Sequence, residues 1–175
     1  AKIDIPDENG ITPIYNACLQ GSKLIVNELI IAHANIEIEA KDGFTPLILT
    51  CRLKKWKLVE YLLKAGADVN HSSFEGNLSA VNILAESGSD EMLEKLIVGY
   101  DAKINVDEKL LSPLYFATKK DRFSTMKLLL DNGAKMDQRT KRLIEERIKN
   151  GQSKSSEFLQ NFLDYTEMQD FLSDI

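Results

Sequence analysis

The chain has 175 residues, enough for one domain with a sizeable core, and its 43% hydrophobic and 28% charged content is ordinary for a globular protein. No apolar run approaches the roughly 18 residues needed to span a bilayer. The net charge of −5 argues against general nucleic-acid binding, which needs a basic surface to neutralise phosphates. The chain starts at Ala1 rather than at a methionine, as a processed or excised piece of a longer protein would.

In chain order, Ile3 and Ile5 come first and are placed to cover the open face of the segment after them. Gly10-Ile-Thr-Pro-Ile opens that segment, which returns at a constant interval as Gly43-Phe-Thr-Pro-Leu and again, decayed, as Gly76-Asn-Leu-Ser-Ala. Leu111-Ser-Pro-Leu opens a fourth copy. Within the copies Val26-Asn-Glu-Leu-Ile, Val59-Glu-Tyr-Leu-Leu, Leu93-Glu-Lys-Leu-Ile and Met126-Lys-Leu-Leu-Leu recur. Ala32-His-Ala-Asn-Ile, Ala65-Gly-Ala-Asp-Val and Asn132-Gly-Ala-Lys-Met come after them in register. The spacing places the copies at about 7–39, 40–72, 73–106 and 107–137. In the third copy Leu78-Ser79 replaces Thr-Pro. Glu86–Asp90 is read as an inter-helix turn with one extra residue, a second extra residue falls near Val98–Asp101, and one is lost between Asp107 and Leu111.

Each copy makes physical sense as a helix–turn–helix. Thr45 is suited to cap a helix start, and Pro46 sits in the first turn, where a missing N–H costs nothing. The first helix is expected over Pro46–Leu53. The second, over Trp56–Lys64, has Leu58, Val59, Leu62 and Leu63 at helical spacing. Gly66 suits the left-handed residue after a helix end, and Asp68-Val-Asn-His leaves as a hairpin-like loop. One such unit cannot bury its own apolar face, so the units must stack, with caps at the ends.

Cys18 and Cys51 are separated by that same interval, hence they share one structural position in neighbouring copies. Packed helices lie about 8–10 Å apart, beyond the roughly 7 Å Cα limit for a disulfide. Two free buried thiols are expected, and with them a reducing, intracellular setting, cytoplasm or nucleus.

The motifs resemble the ankyrin-repeat family, whose units of about 33 residues begin near Thr-Pro-Leu-His-x-Ala. The resemblance covers about Asp7 to Asp137 and implies an all-α ankyrin-repeat solenoid of stacked helix-turn-helix units with protruding hairpin loops. The family histidine is missing: Tyr15, Ile48, Val81 and Tyr115 stand at its position. Residues 138–175 are a C-terminal helical extension. Arg139–Lys149 is a basic helical segment, Gly151-Gln-Ser-Lys-Ser-Ser a turn or linker, and Glu157–Ile175 an acidic amphipathic helix with apolar residues at 158, 162, 165, 168, 172 and 175. That helix is read either as a cap on the fourth copy or as a segment that docks on a partner or on this chain's own groove.

Catalytic chemistry is missing from the sequence. His33 and His71 are the only histidines, and neither stands at metal-ligand spacing from a cysteine or carboxylate. His33 takes a helix-end glycine position and His71 an exposed loop. No phosphate loop, nucleophile elbow or Cys–His signature is found, so neither enzyme activity nor a cofactor is expected. What the resemblance implies instead is binding of a protein or peptide on the concave side, made by hairpin tips and first helices. Projected onto this chain, that surface comprises Ile11, Leu19, Lys41, Phe44, Arg52, Leu53, Phe74, Glu75, Lys119 and Lys120.

Ile11, Phe44, Leu53 and Phe74 are read either as an exposed apolar ridge or as packed under the neighbouring hairpins. Arg52, Lys54, Lys55 and Lys57 form a basic strip, either a solvated edge or a surface for an acidic amphipathic partner. Trp56 is expected to pack beneath its own turn. Finally, Leu62-Leu-Lys-Ala-Gly-Ala-Asp-Val-Asn70 resembles the loop that asparaginyl hydroxylases modify in animal ankyrin proteins; Asn70 alternatively bonds within its hairpin. The chain is thus read as a non-catalytic interaction module, a free adaptor or a regulatory or targeting region of a larger enzyme or transcription regulator.

Overall fold

A computed structural model of the chain describes residues 3–73, 79–106, 110–150, 159–165 and 168. Among them the regular structure is helical. The helices are α1 (Pro13–Gln20), α2 (Lys23–Ile31), α3 (Pro46–Arg52), α4 (Trp56–Lys64), α5 (Ala80–Ser87), α6 (Asp90–Tyr100), α7 (Pro113–Lys119), α8 (Phe123–Asp131) and α9 (Gln138–Lys149), followed by helical residues 159–165. Two compact units are present, Ala1–Leu84 with Ser89–Lys103, and Ala85–Gly88 with Ile104–Ile175. In the first, α1 packs on α2, α3 on α4, α1 on α3 and α2 on α4; in the second, α7 packs on α8 and α9.

Hydroxyl caps start the first helix of every repeat. Thr12 accepts from the Tyr15 N–H and Thr45 from the Ile48 N–H, both at 3.3 Å. Ser79 accepts from Asn82 and Ser112 from Tyr115, both at 3.1 Å. These caps correct the expected register of the third repeat. Ser79, not Leu78, stands where Thr45 does, which puts Asn82 rather than Val81 at the family's histidine position.

The left-handed residues that close the inter-helix turns are Gly21, Lys54, Gly88 and Asp121. Each lies nine positions after its cap, so the turn at Glu86–Asp90 has its ordinary length. The extra residue falls instead between Gly66 and Ser79. The second insertion is where it was expected: α6 has 11 residues against 9 in α4, and closes on left-handed Asp101.

Left-handed backbone favours glycine because it lacks a Cβ. His33, at φ 61°, does occupy a glycine-type helix end, as Lys54, Asp101 and Asp121 do at φ 54–56°. Replacing His33 or Lys54 by glycine should stabilise the protein by about 0.5 kcal/mol each, relief of strain outweighing the added freedom of the unfolded chain. A urea midpoint that falls for both variants would refute this.

Side chains at one recurrent position tie the hairpins together. Asp4 accepts from the Asn35 N–H at 2.8 Å and Glu37 from Asp68 at 2.9 Å. Asn70 accepts from Lys103 at 2.7 Å, and Asn105 from Lys135 at 2.8 Å. Asn70 Nδ2 also donates to the Asp101 carbonyl at 3.4 Å, so its amide bridges to the following hairpin rather than bonding only within its own. Asn70→Ala removes both bonds and should cost about 1–2 kcal/mol by urea denaturation; Asn70→Asp, which keeps the acceptor, should cost less.

The lost family histidine is replaced in the first repeat by Tyr15, whose hydroxyl donates to Asp42 Oδ2 at 2.8 Å. Burial first, and that hydrogen bond second, raise its pKa well above the usual phenol value.

The repeat pattern ends at Asp137, at this same recurrent position. Here the residue caps α9 directly and no hairpin follows, its Oδ1 accepting from Arg139 and Thr140 N–H groups at 2.9 Å. Ser112 and Thr140 hydroxyls donate to Oδ2. Partial burial would raise this carboxyl, yet the hydrogen bonds outweigh it and hold the pKa below the usual value.

At the ends, two expectations change. Ile3 is half-buried but Ile5 is exposed, so the polar Asp4 rather than Ile5 makes the contact at that end. In the C-terminal helix the buried stripe is Leu159, Phe162 and Leu163, while Tyr165 and Met168 are exposed; of the expected stripe, Phe162 keeps its place and positions 165 and 168 do not. Residues 151–158, 172 and 175 lie outside the described residues.

Candidate interaction surface

The best-preserved repeat supplies the clearest surface group. Pro46 to Cys51 are all buried, so α3 offers solvent little until its last turn. There Arg52 and Leu53 emerge, Leu53 with 40% of its surface exposed. Phe44 is 4% exposed, and the Arg52 guanidinium lies over its ring, 4.9 Å from the centroid. Of the two readings of the apolar ridge, Phe44 takes the packed one: it is a buried platform for a cation and not a surface residue. A cation over an aromatic face gains about 0.5–1 kcal/mol at an exposed site, enough to bias the orientation of Arg52.

The other projected residues divide similarly. Leu19 and Lys41 are exposed and Ile11 is half-buried, its N–H held by Asp7 Oδ1 at 2.9 Å. Phe74 and Glu75 lie outside the described residues. In the second compact unit Lys119 and Lys120 are exposed, with Lys120 Nζ 3.4 Å from Glu86 Oε1. His71, expected to be exposed, is half-buried with Nε2 2.6 Å from Glu39 Oε1.

A recurrent contact fixes the ends of the first helices. Lys55 Nζ donates to the Leu19 carbonyl at 2.8 Å, Arg122 Nε to Glu86 at 3.2 Å, and Arg147 to Lys119 at 2.8 Å. Leu19, Glu86 and Lys119 each stand seven positions after their cap. A cation at a helix C-terminus satisfies a carbonyl with no partner inside the helix and opposes its dipole. Arg147 plays this part from α9, and also pairs with Asp121.

Two features carried no clear signal in the sequence. Leu24 and Ile31, on α2, are largely exposed at 72% and 63%. Their counterparts one repeat later are Lys57 and Lys64, so comparing copies position by position could have found them. Trp56 is half-buried and lines an open groove instead of filling the space beneath its turn.

Cys18 and Cys51 are free and buried, and burial pushes both thiols up to about 12. Among the described residues no group of three or more His, Cys, Asp or Glu could hold a metal ion. No helix there is long and apolar enough to cross a membrane.

Paired helices capped by Ser or Thr, closed by left-handed residues and linked hairpin to hairpin define an all-α helical repeat protein. The family model for ankyrin repeats, three copies, matches residues 1–73. Similar proteins include the Ankyrin repeat and KH domain-containing protein mask-1 of Caenorhabditis elegans, 32% identical over 75% of this chain and 5% of its own length. The human Transient receptor potential cation channel subfamily A member 1 is 27% identical over 78% of this chain and 13% of its own. The E3 ubiquitin-protein ligase KEG of Arabidopsis thaliana is 26% identical over 75% and 8%. This chain belongs to the ankyrin-repeat family, whose repeats generally serve as protein-interaction modules, and it spans a small part of the relatives it matches.

Proposed function

We propose that the chain is a non-catalytic protein-binding module that receives a protein or peptide partner on its hairpin and first-helix side. The observation that carries this is the group at the end of α3. Arg52 is held over the buried Phe44 ring while Leu53 stands exposed beside it in sequence, a placed cation next to an apolar anchor. A few residues supply most of the binding energy of an interface, and arginine is among the types enriched there. Leu19 and Lys41 add to the set in the first compact unit, and Lys119 and Lys120 form a second set in the other. The exposed cations favour an acidic partner.

Capture of partners from native extract by the wild type, Arg52→Glu and Leu53→Asp tests the reading. Both variants should retain the fold and lose about tenfold in affinity for any partner recovered. Equal recovery by all three would sink it.

The small share of its relatives that the chain spans supports a further reading, that the module regulates or targets a larger protein. We read residues 138–175 as a cap on the repeats and not as a separate docking element, since Leu159, Phe162 and Leu163 are buried. Hydroxylation of Asn70 is a separate proposal resting on its loop sequence; mass spectrometry of protein from its native cell should find one added oxygen, and finding none ends it.

A further inference from the structure

We propose that a groove at the start of α4 binds an acidic peptide segment through Trp56 and the lysines around it, with an aromatic or aliphatic side chain of the peptide seated on the indole. The groove lies in the first compact unit, where the turn entering α2 approaches the turn entering α4, and has a volume of about 570 Å³. That is room for a large side chain with its flanking backbone. Trp56 and Leu58 supply the apolar part of the lining, and Lys23, Lys55 and Lys57 supply the charge.

No carboxylate lines the groove, and Lys54 adjoins it in sequence. Among the described residues none of these four lysines forms an ion pair. Three lysines that form no ion pair thus line one groove in a chain whose net charge is −5.

The lining is also held in place. The Lys55 side chain crosses Gly21 to reach the Leu19 carbonyl at 2.8 Å, and a Cβ at Gly21 would stand 2.7 Å from its Nζ. Lys23 Nζ sits 4.6 Å from the centroid of the Tyr61 ring. Both contacts fix the lysines without neutralising them. Meanwhile α4 starts with no side-chain cap, so the N–H groups of its first turn add positive potential.

The combination is particular to this repeat. Eleven positions after their caps, the other repeats carry Lys23, Asp90 and Phe123 where this one carries Trp56. Only here does an aromatic side chain stand among lysines with no acid between them. Anionic side chains of a peptide meet the lysines, and its apolar residue covers the indole, which no small anion would do. The site shares no residue with the Arg52 and Leu53 group, and either proposal can fail without the other.

Trp56 is the chain's single tryptophan, so its emission reports on this groove alone. The probe is a synthetic peptide of about a dozen residues mixing Asp and Glu with Leu and Phe. It should shift the emission to the blue in a saturable way, and weaken as salt is raised. The same peptide with its carboxylates made amides, and an all-acidic peptide without Leu or Phe, should each bind at least about tenfold more weakly. Lys23→Glu combined with Lys57→Glu should weaken the acidic peptide by about tenfold, with the helical circular dichroism unchanged, while Arg52→Glu leaves it unaffected. The proposal is overturned if the amide peptide binds equally well, or if phosphatidylserine vesicles or a single-stranded oligonucleotide move the emission and the peptide does not. Peptide binding that leaves Trp56 silent and shifts the backbone signals of Arg52 and Leu53 would overturn this groove while supporting the surface proposed above.

Discussion

Replacing Leu62 with alanine should lower stability by about 3 kcal/mol, the cost of a deeply buried leucine truncated to a methyl. Leu62 is fully buried on α4, the helix that packs on both α3 and α2. Its loss therefore weakens the pairing within one repeat and the stacking between two. Repeat proteins draw much of their stability from such neighbour interfaces, so no other part of the fold makes up the deficit. For a chain of this size the urea midpoint should fall by about 1–2 M at unchanged slope. Leu53→Ala, two-fifths exposed, serves as the control and should stay within about 0.5 kcal/mol of wild type. A loss below about 1 kcal/mol for Leu62→Ala would show that the space closes up and that α4 does not anchor the stack.

Raising the pH should unfold the protein steeply between about pH 8.5 and 12. An unfolded cysteine ionises near pH 8.5, whereas burial keeps Cys18 and Cys51 protonated up to about 12. In that window the unfolded chain has released protons that the folded chain still holds. The thiols' contribution is therefore fully present below about pH 8.5 and is lost as pH rises through the folded values. Each buried thiol removes about 1.4 kcal/mol per pH unit, about 3 kcal/mol for the pair. Tyr15, also raised by burial, acts in the same direction above about pH 10. Against a total stability of about 5–15 kcal/mol, this brings unfolding before the thiols could titrate in place. Urea titrations at about pH 7, 9 and 10 measure the slope. The Cys18→Ala, Cys51→Ala double variant should start less stable and lose most of the slope below about pH 10; parallel curves would refute buried thiols as the cause.

Much of the architecture was legible because the repeat exposes the same local rules again and again. Thr45-Pro46 and Gly66 mark helix ends by backbone chemistry that acts within a few residues, and α3 and α4 begin at the expected positions. The third repeat was misread for a physical reason. With Thr-Pro gone, alignment by spacing favoured Leu78, but a cap needs a side-chain oxygen and only Ser79 has one. The cap rule applied to that dipeptide would have found the register.

The surface was less legible. Phe44, Arg52 and Leu53 were singled out together, yet the sequence left open which of the apolar residues faces water. Phe44 is buried beneath Arg52, a matter of side-chain packing across the hairpin and helix. The C-terminal helix shows the same limit, since apolar periodicity allows more than one stripe and burial selects Leu159, Phe162 and Leu163.

By itself the sequence determined the helix pairs, their caps, the repeat and the two unpaired cysteines, since each rests on local backbone preferences or a fixed interval. Tertiary structure alone decided which side chains are buried, how Asn70 bridges to the next hairpin, and that Asp137 ends the repeats by capping a helix. The Asn70 bridge depends on groups about a repeat away in the chain, and Asp137 joins its local cap to Ser112, 25 residues earlier; such groups come near only when the helices pack, and no local preference encodes those distances.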